Sequence, residues 1–139
     1  MPDGSSHAQS VDAWLEASDR DRSPEQRVAL FEAAATALWS RSRVTLGEIT
    51  LAAIADRVIY RAAEEYPAFE GVQVEPTGAL QLDALRERAA AIPPKELAGA
   101  IRFVLVEFLT VLGNLTAEVL THDLHATLSK VSLAEAPKP

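Results

Sequence analysis

The stretch that decides the fold is PKELAGAIRFVLVEFLTVLGNLTAEVLT, residues 94–121. Its apolar side chains recur every three or four positions, which places them on one face of a helix. They are Ala98, Ile101, Leu105, Phe108, Leu112, Leu115 and Val119. A polar stripe lies opposite and runs past Gly113 without a change of phase; it consists of Glu107, Thr110, Asn114, Glu118 and Thr121. The pattern predicts one continuous helix over residues 94–121, although a glycine inside a helix costs about 1 kcal/mol relative to alanine.

This helix is apolar enough to raise the question of a membrane span. Arg102 and Glu107 lie within it on different faces, and a charge near the centre of a bilayer costs about 3 kcal/mol or more. The flanking residues offer neither Trp or Tyr anchors nor a cluster of Lys and Arg. We therefore predict the core helix of a soluble protein that has no membrane partner.

Shorter segments are predicted to pack around the central helix. Ser23, Pro24 and Gln26 form a helix start with a capping box, and residues 45–48 form a second candidate box. Residues 72–82 alternate apolar and polar on both sides of Pro-Thr-Gly, which favours a β-hairpin over the alternative, a loop followed by a helix from about Ala79. The predicted fold class is all-α with one small β-hairpin, a bundle of four to five helices around residues 94–121.

The composition bounds the domain organisation and the function. The chain has 139 residues, a net charge of −7 and no cysteine. Polar ends predict disordered tails over residues 1–9 and 134–139, with His7 solvated, around a single helical domain at 10–133. The acidity argues against a nucleic-acid partner, and the lack of cysteine excludes disulfides and thiolate chemistry. The N-terminus carries no apolar secretory segment, so a cytoplasmic location is expected.

The first functional hypothesis is a non-enzymatic regulatory or protein–protein interaction module. The apolar arc of the central helix is wide enough to need partners on more than one side, which favours a homodimer or a protein partner. The candidate interface or ligand residues on this helix are Arg102, Glu107, Phe108 and Leu112. No Gly-rich phosphate loop and no nucleophile elbow occurs, so no catalytic residue, no cofactor and no enzymatic activity is predicted.

The second hypothesis is a small-ligand sensor or binding domain. Its pocket would lie between the helical bundle and the hairpin. Trp39, Tyr60 and Phe69 are the candidate lining residues, together with one convergent charge.

A third hypothesis centres on two histidines near the C-terminus. If the helix continues through them, Glu118, His122 and His125 share one face and are plausible ligand types for zinc or iron, although a site generally needs a third or fourth ligand from elsewhere. The seven residues HDLHATL, beginning at His122, also resemble the phosphoacceptor box of sensor histidine kinases, with Thr127 where that box usually carries proline. The resemblance implies phosphotransfer through His122.

Overall fold

The computed structural model describes residues 4–18, 23–75, 80–117 and 119–131. In these ranges the chain forms six α-helices, a short 3-10 turn and one two-stranded antiparallel sheet. The elements are α1 (Gly4–Ser18), α2 (Pro24–Leu46), α3 (Glu48–Glu65), the 3-10 turn (Pro67–Phe69), β1 (Gln73–Val74), β2 (Leu80–Gln81), α4 (Asp83–Ala89), α5 (Pro94–Leu115) and α6 (Thr121–Ser129). The predicted all-α fold with a small β-hairpin is confirmed, with six helices in place of the four to five expected.

Helix α5 lies at the centre of the bundle, as its apolar arc predicts. It packs against α1, α2, α3 and α6, so that neighbours cover it on several sides. Its buried residues are Leu97, Ala100, Ile101, Val104, Leu105, Phe108, Leu109, Leu112 and Gly113. No helix among the described residues combines the length and the hydropathy that crossing a bilayer requires.

The predicted continuation of the central helix to Thr121 is wrong, because α5 passes Gly113 but ends at Leu115. The hydroxyl of Thr116 donates to the carbonyl oxygen of Leu112 at 2.9 Å, and Ala117 adopts a positive φ of 52°. The chain then turns into α6, which packs against α1 and α2 and buries its own leucines. Leu115 and Val119, which the sequence pattern places on the buried face, are instead 57% and 76% exposed.

The predicted capping box at residues 45–48 is also wrong, whereas the one at Ser23 is confirmed by reciprocal bonds with Gln26 of 3.1 and 2.9 Å. Helix α2 continues through Leu46, and Gly47 both ends it and begins α3 without a side-chain cap. Gly47 has φ 86° and ψ 159°, a combination that is essentially confined to glycine. A sharp corner therefore replaces the expected capped start, and Ile49 is 89% exposed beside it.

Helix α1 begins inside the segment predicted to be disordered. Residues 4–9 are helical, and the helix packs against α5 and α6. The indole N–H of Trp14 donates to the carbonyl oxygen of Val131 at 3.0 Å, and Val11 is fully buried. Two apolar anchors and one long-range hydrogen bond thus hold a helix that would be marginal alone. The tail predicted at 134–139 lies outside the described residues.

The hairpin is confirmed against its alternative. Val74 pairs with Leu80 and Gln73 with Gln81 in antiparallel register, and α4 starts at Asp83. The predicted Pro-Thr-Gly turn falls at residues 76–78, outside the described residues. The strand β1 packs on α3. Because Leu80 of β2 pairs with Val74 of β1, this packing places Leu80 at the edge of the helical bundle.

Candidate functional site

A cavity of about 190 Å³ lies between α2, α3, α5 and β2. Eleven residues line it: Glu32, Ala35, Thr36, Trp39, Ala55, Val58, Ile59, Leu80, Val104, Leu105 and Phe108. Nine of the eleven are apolar, and Glu32 and Thr36 are the two exceptions. Its position between the helical bundle and the hairpin matches the place predicted for a ligand pocket.

Each helix presents one face to the cavity. The four residues from α2 are Glu32, Ala35, Thr36 and Trp39, a spacing of three, four and seven positions that defines a single helical stripe. The residues from α3 and α5 follow the same three-to-four spacing. Ala35 and Ala55 extend no further than Cβ where the three helices meet. We attribute the open space to these two alanines, because a larger side chain at either position would project into it.

The cavity has a buried apolar floor and a partly exposed polar mouth. Six side chains from α3 and α5 form the floor and are all buried: Ala55, Val58, Ile59, Val104, Leu105 and Phe108. At the mouth, the side chain of Glu32 is 44% exposed, Thr36 is exposed and Trp39 is half-buried. A molecule entering here would bury its apolar part first and keep a polar end near solvent.

The charge at the mouth is negative. Glu32 is the only ionisable side chain among the described lining residues. Arg86 on α4 donates to its carboxylate from Nη2 and also lies 3.5 Å from Asp83 through Nη1. One guanidinium is therefore shared between two carboxylates, and the three side chains together carry a net charge of −1.

The lining residues suit binding better than bond making. The described lining residues contain no histidine, no lysine and no second carboxylate, so the Thr36 hydroxyl has no general base beside it other than Glu32. What remains is an apolar floor with a small number of polar groups at one end, which is the usual composition of a small-molecule pocket.

Of the three predicted pocket residues, Trp39 alone lines this cavity. Tyr60 is exposed, and it lies with Phe69 along a second, more open groove of about 400 Å³ between α3 and β1. Phe69 is fully buried and packs edge-on against Phe31, with ring centroids 5.7 Å apart. Phe108, named from the sequence as an interface or ligand candidate, is the second aromatic of the cavity. Sequence reasoning missed Glu32, whose signal is its position on the same α2 stripe as Trp39.

The other candidates on α5 have partners within the chain. Arg102 donates from Nε to Asp12 of α1 at 2.6 Å, and this hydrogen bond raises the pKa of Arg102 above its ordinary value against the opposing effect of partial burial. Glu107 accepts from Arg61 of α3 at 2.5 Å. Leu112 is fully buried. Both ion pairs tie α5 to neighbouring helices.

The homodimer stays a prediction, but its expected surface changes. Phe108 and Leu112 are buried by other helices of the same chain, so a partner could reach them only if the bundle opened. The large apolar side chains that the structure leaves exposed are elsewhere: Val44, Ile49, Tyr60, Leu115 and Val119. Four of these five flank the α2–α3 corner or the α5–α6 turn.

The histidine cluster forms a different arrangement from the one predicted. His7 is not solvated: it is 1% exposed, and its Nδ1 lies 2.9 Å from Nε2 of His125. His122 is exposed on α6, and Glu118 lies outside the described residues. Within the described residues no group of three or more His, Cys, Asp or Glu side chains could hold a metal ion. Phosphotransfer through His122 stays a prediction.

No family model, no curated protein and no solved structure matches this chain. Its function is therefore inferred from its own residues and their geometry.

Proposed function

We propose that this domain binds a small, largely apolar molecule in the cavity between α2, α3, α5 and β2, and that it acts as a sensor or carrier without bond-making chemistry. The observation that carries the proposal is the cavity itself. About 190 Å³ of space has a floor of six buried apolar side chains and opens to solvent at a mouth beside Glu32. A concave apolar cleft with a small number of polar groups at one end is the usual form of a small-molecule site.

The volume sets the size of the ligand. An apolar cavity of about 150 Å³ accommodates benzene, so in proportion this one holds about eight non-hydrogen atoms. One or two more can lie at the open mouth, which gives a ligand of about ten non-hydrogen atoms. At about 0.5–0.8 kcal/mol per atom, a molecule of that size would bind with about 5–8 kcal/mol, which corresponds to dissociation constants from the high micromolar to the low micromolar range. That range is compatible with sensing a metabolite that is present at similar concentrations.

Trp39 provides a direct reporter of occupancy. The chain has two tryptophans. Trp14 is buried, donates to the carbonyl oxygen of Val131 and does not line the cavity, so Trp14→Phe leaves Trp39 as the only indole. Titration of this variant with 1-octanol, a neutral probe with nine non-hydrogen atoms, is expected to shift the Trp39 emission to the blue in a saturable manner, because the probe displaces water from the indole face.

The control fills the cavity from its floor. In the Trp14→Phe background, Ala55→Leu places three additional carbon atoms in the space that the probe would occupy. The saturable shift is expected to disappear in this double variant while the helical circular dichroism is unchanged. The proposal fails if 1-octanol produces no saturable change, or if the filled variant responds as the open one does.

A further inference from the structure

We infer that the ligand is a cation, an alkyl or aryl ammonium whose apolar body fills the cavity while its charged end is held by the carboxylate of Glu32. This inference rests on the proposed function and adds the chemical class of the ligand. It depends on three properties of the mouth: the sign of its charge, the free acceptor capacity of Glu32 and the depth at which that charge lies.

The sign of the charge comes from the cluster at the mouth. Arg86 bridges Glu32 and Asp83, so one positive charge faces two negative ones. A monovalent cation bound at Glu32 would bring the net charge of these three side chains and the ligand to zero, whereas a monovalent anion would make it −2. The net charge of −7 on the whole chain acts in the same direction, because it concentrates cations near the surface.

Glu32 can accept a second cation without losing the first. Its Oε1 receives the bond from Arg86, and its Oε2 accepts no hydrogen bond from any residue in the described part of the chain. A carboxylate offers about four lone-pair sites and an ammonium group brings three donors. An ammonium at Oε2 therefore gains a charge-assisted hydrogen bond, which is stronger than a neutral one.

The depth of the charge suits an amphiphilic ligand. The Glu32 side chain is 44% exposed, so an ammonium beside it stays partly hydrated and avoids most of the cost of burying an ion. Trp39 lies seven residues further along α2, which is about 10 Å along the helix axis. The apolar body can therefore extend from the carboxylate across Ala35 towards the indole and the ring of Phe108.

The experiment compares three probes with the same eight-carbon chain: octylamine, 1-octanol and octanoate. Each is titrated into the Trp14→Phe variant at pH 7 and low ionic strength, below the concentration at which the probe self-associates, with Trp39 emission as the readout. Octylamine is protonated at this pH and octanoate is ionised. We expect octylamine to bind about fivefold more tightly than 1-octanol, the size typical of a partly exposed ion pair, and octanoate to bind more weakly than either.

Two glutamate variants separate local recognition from bulk attraction. Glu32→Gln is expected to abolish the preference for octylamine over 1-octanol, which is measured as the ratio of the two dissociation constants within the same variant. Glu64→Gln makes the same change in net charge at an exposed position on α3 that does not line the cavity, and it is expected to keep the fivefold preference.

The outcomes distinguish the two proposals. If 1-octanol binds but octylamine binds no more tightly, the ligand is not selected for charge and this inference is overturned while the proposed function stands. If Glu64→Gln lowers the preference as much as Glu32→Gln does, the attraction is not local and the inference is again overturned. If none of the three probes gives a saturable response, both proposals fall.

Discussion

The effect of Ala55→Leu on stability tests whether the space between α2, α3 and α5 is a real cavity. Ala55 lies on α3 and is buried at the floor. Because Ala55 lines the cavity, we expect the three carbon atoms that leucine adds here to occupy the open space. In an ordinary core position the same change forces off-rotamer side chains and shifts the backbone. An increase in the free energy of unfolding therefore indicates that the space is present, and a decrease indicates that it is not.

The expected magnitude follows from the atoms added. Three buried carbon groups at about 0.8 kcal/mol each give about 2.4 kcal/mol. The loss of rotamer freedom of the leucine side chain offsets about 0.5–1 kcal/mol of this gain, and the lower helix propensity of leucine offsets a few tenths of a kcal/mol more. We expect Ala55→Leu to raise the free energy of unfolding by about 1–1.5 kcal/mol, which corresponds to an increase of about 3–5 °C in Tm for a domain of this size.

The matched control lies on the same helix stripe. Ala62 is seven residues from Ala55, is fully buried and does not line the cavity, so Ala62→Leu is expected to lower the free energy of unfolding by about 1–3 kcal/mol. Urea denaturation followed by circular dichroism at 222 nm measures both variants. Our reasoning is refuted if Ala55→Leu destabilises the domain as much as Ala62→Leu does.

Three further predictions concern the framework around the cavity. Gly47→Ala should destabilise the domain by about 1–3 kcal/mol, because the backbone of Gly47 has a conformation that is essentially confined to glycine. Gly99→Ala should instead stabilise α5 by about 0.5–1 kcal/mol, because the added Cβ would meet Tyr66 at an ordinary contact distance of 3.7 Å. Equal effects of the two variants in thermal melts would contradict this prediction. Trp14→Phe should cost about 1 kcal/mol in urea denaturation for its lost hydrogen bond, and no loss would mean that α1 is not docked as described. Folding raises the pKa of Arg102, so the stability that this side chain contributes is present below its unfolded-state pKa and is lost only above its folded-state pKa. The difference in unfolding free energy between wild type and Arg102→Gln should therefore be the same at pH 7 and pH 10. A difference that is smaller at pH 10 would contradict this prediction.

Local sequence rules predicted the elements whose ends are fixed by local chemistry. The Ser23 capping box and the hairpin are in place because each depends on residues within about ten positions. The inward stripe of α3, with Leu51, Val58 and Ala62, is buried as its spacing indicates. In these segments propensity, capping and periodicity all favour the same structure.

The remaining differences arise from contacts between segments distant in sequence. Helix α5 stops at Leu115 because the turn after it lets α6 pack against α1 and α2, although the helical periodicity continues past that point. His7 is buried by a contact with His125, which is 118 residues away. A composition-based prediction of disorder at the N-terminus has no access to such a partner.

The cavity shows how far the functional site could be predicted. Trp39 was named from the sequence as a candidate lining residue and lines the cavity beside β2, whereas Glu32 was not named from the sequence. The small side chains of an alanine-rich segment permit close helix approach, but Ala35 lines the cavity instead. Whether a small residue allows close packing or leaves space depends on the residues of the other helices around it, here including Ala55 of α3, and those neighbours are distant in sequence.

The most direct measurement is a crystal structure of the wild-type chain grown with octylamine. The account predicts an alkyl chain lying between Val58 and Phe108, with its nitrogen within about 3 Å of the Glu32 carboxylate. It is contradicted if the floor side chains close over the space and leave no room for the probe, or if octylamine lies elsewhere on the surface while the cavity stays empty.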